Sequence, residues 1–109
     1  MGLTKTDNFN NVQNRTAKLA KAIGHPARIA ILEILLKRNT CICGDLVDEL
    51  PLSQSTISQH LKELREVGII KGDIEGTSVC YCIDGKVWKE TQKGLNRLFD
   101  LYKEGKGCC

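Results

Sequence analysis

Aromatic side chains are scarce in this sequence: one Trp, two Tyr and two Phe among 109 residues. So few rings argue against a platform for single-stranded nucleic acid, which stacks successive bases on aromatic faces. The two histidines, His25 and His60, are too few and too poorly placed to build an imidazole metal site. Long hydrophobic runs are missing as well. Ile29–Leu32 is interrupted by Glu33 before Ile34–Leu36 resumes, far short of the roughly 20 apolar residues of a membrane span. The N-terminus, with Lys5, Asp7 and several Asn, does not read as a secretion signal. A cytoplasmic chain with no membrane partner is expected. Charge of one sign is also nearly absent: 16 basic against 13 acidic residues leave a net +3, a slight bias toward an anionic partner.

What is present is enough for one domain over residues 1–109, able to bury ~65% of its unfolded surface, with flexible ends at 1–8 and 105–109. Phe9, Val12, Leu19, Ala20 and Ile23 share a helical stripe that stops at Gly24. Pro26 suits the first turn of a second helix, whose apolar face is read as Ile29, Leu32, Leu35 and Leu36, with Asn39 as its stop. A short third helix is predicted from about Asp45 to Leu50, broken by Pro51. Ser53 then stands as an N-cap for a fourth helix reaching about Val67, with Ile57, Leu61 and Leu64 on one side and Gly68 at its end. From Ile70 the period changes to two. Ile70–Ile74, a turn at Glu75-Gly76 and Thr77–Ile83 predict a hairpin in which Val79, Tyr81 and Ile83 face one way and Cys80 and Cys82 the other. A last helix from about Lys86 to Lys103 carries Trp88, Leu95, Leu98, Phe99 and Tyr102 on one stripe.

A short helix, a tight turn, a longer capped helix and a hairpin make a winged helix-turn-helix, mainly α with a β-hairpin wing and about five helices. Ser55, Gln59 and Lys62 lie opposite the apolar face of the fourth helix, with Thr56 and Ser58 on its flanks. A merely solvated face would favour Glu and Lys, which are better helix formers. The run Ser53-Gln54-Ser55-Thr56-Ile57-Ser58-Gln59 gives up propensity for short groups that hydrogen-bond to base edges in a major groove. Lys62 and Arg65 suit phosphates. Double-stranded DNA is the expected partner, and no cofactor is required for that contact.

Six cysteines fall in three close pairs: Cys41/Cys43, Cys80/Cys82 and Cys108/Cys109. Partners so near in sequence do not readily form relaxed disulfides within a pair. In a reducing compartment they are expected as free thiols, suited to metal binding or redox chemistry.

The stretch from Ser53 to Leu64 followed by Gly68-Ile69-Ile70, together with Gly24-His25-Pro26-Ala27-Arg28 and Cys41-Ile42-Cys43-Gly44-Asp45-Leu46, resembles the ArsR/SmtB family of winged-helix regulators over about Ala20 to Asp84. The resemblance implies a homodimeric repressor, paired through its first and last helices, that leaves its operator when a metal or metalloid binds. It also implies that Cys41 and Cys43 match the family's inducer-binding pair. This chain inserts Gly44 before Asp45, which moves both thiols one residue toward the N-terminus and onto the loop before the helix. The Asp/His zinc site that family members carry on the last helix is absent, since Lys86–Lys103 holds no histidine. The wing tip also departs from the family's basic pattern: Asp73 and Glu75 repel phosphates and leave Lys71, Thr77 and Ser78 for any contact.

Thiols without imidazole favour soft ions, and trivalent arsenic or antimony, which bind three thiolates, fit as inducers. Cys41, Cys43, Cys108 and Cys109 are the candidate ligands, with Cys80 and Cys82 as a lesser, separate pair. A redox or persulfide sensor on the same fold is the alternative. A thiol enzyme would want a phosphate-cradling loop or a Cys-x-x-Cys, and neither occurs, so no enzyme is expected.

Overall fold

Asn10 sets the start of the first helix, α1 (Asn11–Ile23). Its side-chain oxygen accepts from the Gln13 amide at 2.7 Å, while Gln13 Oε1 accepts from the Asn10 amide at 3.1 Å. This reciprocal capping box satisfies two orphan donors at once. The computed structural model describes residues 8–43, 49–73 and 79–105. In α2 (Pro26–Arg38) Pro26 occupies the first turn, and His25 Nδ1 caps the helix by accepting from the Ala27 amide at 3.0 Å. Asn39, left-handed at φ 50°, ends it.

Burial corrects two of the expected stripes. In α1, Leu19 and Ala22 are buried but Phe9 and Val12 remain exposed. In α2 the inward residues are Ile31, Leu32 and Leu35, whereas Ile29 and Leu36 stay 43% and 40% exposed. From Ile29 to Leu36 only Glu33 is polar, so periodicity there does not single out a face.

A two-residue strand, β1 (Ile42–Cys43), follows. The predicted helix at Asp45–Leu50 lies almost wholly outside the described residues, which contain four helices where about five were expected. Ser53 caps α3 (Gln54–Glu66) as predicted, its hydroxyl accepting from the Thr56 amide at 3.3 Å. Ile57, Leu61 and Leu64 are buried, and Gly68 at φ 90° turns the chain into β2 (Ile70–Asp73). The hairpin returns as β3 (Cys80–Ile83); its predicted turn at Glu75-Gly76 lies outside the described residues. The sheet is antiparallel, in the order β1-β3-β2.

Asp84 then caps α4 (Gly85–Phe99), its carboxylate accepting from the Lys86 and Val87 amides at 3.0 and 3.3 Å. The helix ends at Phe99, short of the expected Lys103. Leu101 and Tyr102 beyond it are 70% and 77% exposed, and a last turn without packing has little to hold it.

Leu19, Ile31, Leu35, Ile57, Leu64, Ile69, Ile70 and Tyr81 are almost wholly buried and form the centre of one core. The result is a winged helix-turn-helix with a three-stranded wing. Arg15 joins three helices outside this core. Its Nε and Nη2 donate to the Glu90 carboxylate at 2.9 and 3.2 Å, and Nη2 also donates to the Val67 carbonyl at 3.1 Å. That bond to Arg15 holds the Glu90 carboxyl below its ordinary pKa. No helix among the described residues is long and apolar enough to cross a membrane.

Gly72 is where backbone geometry demands glycine. At φ 116°, a β-carbon would run into the Cys80 carbonyl and sit 2.9 Å from Tyr81 Cα. Gly72→Ala is expected to lower stability by about 2 kcal/mol or more. Gly85→Ala, with open space around it, leaves stability nearly unchanged. Urea unfolding of both variants checks the contrast.

Candidate nucleic-acid interface and thiol face

The outer side of α3 is polar because its inner side is needed for the core. Ser53, Gln54, Ser55, Thr56, Gln59, Lys62 and Arg65 are exposed and Ser58 is half-buried. The hydroxyls are organised before any partner arrives. Ser53 Oγ donates to Thr56 Oγ1 at 2.9 Å and lies 3.2 Å from Ser55 Oγ, and Gln59 Nε2 donates to Glu63 at 3.3 Å. A row of short donors and acceptors with its charges toward the helix end fits base edges first and phosphates second. Arg65, expected at a phosphate, also donates to the Gly72 carbonyl at 3.3 Å and so ties α3 to the wing. Lys71 is exposed on β2, while Thr77 and Ser78 lie outside the described residues.

The helix is anchored from behind by two histidines. Arg28 Nε donates to His60 Nδ1 at 3.1 Å, Arg28 Nη1 donates to the Ala22 carbonyl at 3.0 Å, and the His25 and His60 rings lie 4.5 Å apart. Both histidines thus serve structural parts, His25 as the cap of α2 and His60 as a hydrogen-bond partner of Arg28. Burial, then the neighbouring His25 and Arg28, hold His60 below its ordinary pKa.

The second concentration of chemistry was not legible as a unit. Ile42 pairs with Tyr81 and Cys43 with Cys80 across β1 and β3. Ile42 and Tyr81 point into the core, so the alternating residues Cys41, Cys43, Cys80 and Cys82 all occupy the outer face of the sheet. Cys43 and Cys80, with α-carbons 4.0 Å apart, are joined by a disulfide. This corrects the expectation that all the cysteines are free: the partner lies 37 residues away, not within a close pair. Cys41 and Cys82 are free thiols. A hydrogen bond with Cys41, reinforced by burial, raises the Cys82 pKa, while Lys71 opposes the shift.

Lys71 and Asp73 of β2 stand beside Cys82 and Cys80 in register. Cys41 and Cys43 therefore lie in and beside a paired strand, and Cys80 and Cys82 are not the separate pair anticipated. Cys108 and Cys109 fall outside the described residues. With the disulfide closed, no group of three or more His, Cys, Asp or Glu among the described residues is arranged to hold a metal. Opened, the same face presents four thiols, a donor set that fits a soft ion.

The family model described as bacterial regulatory protein, arsR family, matches residues 25–71. An HTH-type transcriptional regulator of Methanocaldococcus jannaschii is 40% identical over 86 residues, covering 77% of this chain and 94% of that protein. The HTH-type transcriptional repressor SmtB of Mycobacterium tuberculosis is 36% identical over 70 residues, 64% of this chain and 51% of that relative. The chain thus spans about half of SmtB's length. Among solved structures, HlyU from Vibrio cholerae superposes with a TM-score of 0.64 at 31% identity, over 84% of this chain and 99% of that one.

The histidine anchor predicts a pH dependence. The unfolded chain protonates His60 near the ordinary value of about 6.5, before the folded protein does. Its contribution to stability is therefore complete above that pH and falls as pH drops toward the lowered folded value. Urea midpoints at about pH 7.5 and about pH 5.5 should differ less in His60→Gln than in the wild type. An equal fall in both would remove His60 from the cause.

Proposed function

Because this chain belongs to the arsR family of bacterial regulatory proteins, and is thereby a DNA-binding transcriptional regulator and not an enzyme, we propose that it is a repressor released from its operator when cysteine thiolates take up trivalent arsenic or antimony. The observation that carries this reading is the position of Cys41 and Cys43. They flank Ile42 at β1, about ten residues before Ser53 and the polar helix α3 in sequence. Thiolates are the soft donors there and no imidazole joins them, which favours thiophilic ions over a histidine-type zinc site. Repression as the sign of regulation is supported by SmtB, described as a repressor; HlyU, described as a transcriptional activator, marks the other sign.

A homodimer is the second part of the proposal. Phe9 and Val12 before and in α1, and Leu98, Phe99, Leu101 and Tyr102 at the end of α4, are all more than half exposed. So many large apolar groups on the first and last helices suit pairing with a second copy. In such a dimer two α3 helices reach half-sites ~34 Å apart on one face of DNA. Ser55, Gln59 and their neighbours then meet base edges, while Lys62 and Arg65 meet phosphates. An inducer shifts this balance only by its differential affinity for the two forms; reversing a 99:1 population needs ~5.5 kcal/mol.

The disulfide between Cys43 and Cys80 favours one competing reading, a redox or persulfide sensor on the same fold. Fluorescence anisotropy of the reduced protein on its own upstream DNA separates the two. Arsenite is expected to release the DNA, Cys41→Ser to abolish that release, and a persulfide donor to leave the complex intact; release by the persulfide donor alone would make the cysteines a redox switch. In the same assay Gln59→Ala should weaken operator binding by about 1–3 kcal/mol, and Lys62→Ala should weaken all sequences alike and reduce the salt slope by about one.

A further inference from the structure

The ladder register brings together two Cys-x-Cys segments that lie 37 residues apart along the chain. Cys43 stands opposite Cys80, and the next pair outward is Cys41 with Cys82, which share a hydrogen bond. All four side chains leave the sheet on the face away from Ile42 and Tyr81, both of which are buried. Neighbouring pairs on one face of a ladder are about 7 Å apart along the strand and about 5 Å apart across it. One ion of tetrahedral or pyramidal preference, with metal–sulfur bonds of about 2.3 Å, spans such a rectangle once the side chains lean inward. The face is also open: Cys41 and Cys43 are exposed and Cys80 and Cys82 half-buried.

We propose that Cys41, Cys43, Cys80 and Cys82 form a single soft-ion site laid across the β1–β3 ladder, completed by strand β3 and not by the Cys108-Cys109 tail. The site is closed to ions whenever Cys43 and Cys80 are joined. It deepens the reading of this chain as a thiolate-sensing regulator and rests on it only for the identity of the ion. Opening the disulfide takes two electrons and two protons from a dithiol reductant, which leaves as its own disulfide. A soft divalent cation then displaces four protons from four thiols. With arsenous acid, three S–As bonds form as three hydroxyls leave as water, each taking one thiol proton.

The position gives the site leverage. β1 leads toward Ser53 and α3, and β3 runs through Asp84 into α4. One ion holding both strands would set the DNA-reading helix against the helix that carries the exposed apolar end.

The test is a cadmium titration of the full chain, reduced with a dithiol that is then removed without air, reading thiolate-to-cadmium charge-transfer absorption. One ion per chain is expected, with Cys80→Ser and Cys82→Ser each losing about a quarter of the absorption. Affinity should fall at least about tenfold in each, since even an outer partner of a metal ligand is worth that much. The Cys108→Ser/Cys109→Ser double variant keeps both values, and protein oxidised to the Cys43–Cys80 disulfide binds no ion. Circular dichroism and operator binding confirm that each variant folds.

Loss of cadmium in the tail variant, with Cys80→Ser and Cys82→Ser unaffected, would overturn the proposal. An arsenite arm separates the two readings. Cadmium held by the four sheet thiols while arsenite fails to release DNA supports this site and rejects the arsenic inducer. Unchanged arsenite release in a Cys80→Ser/Cys82→Ser variant overturns the site and keeps the inducer.

Discussion

The period of two in strand β3 decides both what holds the wing together and what it displays. Tyr81 is almost wholly buried, with Ile42 paired opposite it. Once that pair is in the core, the pleat leaves Cys80 and Cys82 no choice but the outer face, and the same holds for Cys41 and Cys43. A slip of one residue would exchange the sets, placing four thiols in the core and a tyrosine and an isoleucine in water. The chemistry of the outer face is thus enforced by hydrophobic burial on the inner one.

The polar face of α3 arises by the same logic on a helical period. Ile57, Leu61 and Leu64 are consumed by the core, and most of the remaining positions are left facing solvent. What distinguishes this face from an ordinary solvated one is its chemistry. Side chains that compete with helix formation were placed there, and the Ser53 cap with its bonds to Thr56 and Ser55 offsets part of that cost.

Much of this was legible in the sequence. The α3 stripe, the Ser53 cap, Asn39, Gly68 and the alternation of β3 all follow from local spacing and agree with the structure. The inward face of α2 was legible only at Leu32 and Leu35, because its apolar residues run on nearly without interruption from Ile29 to Leu36 and give little phase. The end of α4 was overextended because an apolar stripe continues past the point where anything packs on it. The union of the cysteines was missed for a different reason. β1 is two residues long, too short to announce itself, and its partner strand lies 37 residues on, beyond α3 and β2. Only the pairing of Ile42 with Tyr81 could have revealed it, and that pairing belongs to tertiary structure. The signal available was two Cys-x-Cys spacings, each matching one face of a strand.

The arrangement around His60 has a mechanical meaning. His60 lies in the middle of α3, hydrogen-bonded to Arg28 and close to the His25 ring that caps α2, so the helix is clamped like a beam near its midpoint. Its far end is tied by Arg65 to Gly72 in the wing. A small displacement at that strand has a fulcrum to turn about, and the opposite end, bearing Ser53 to Thr56, would swing the other way. In such a beam, residues proposed to read DNA need not touch a strand whose displacement would turn them.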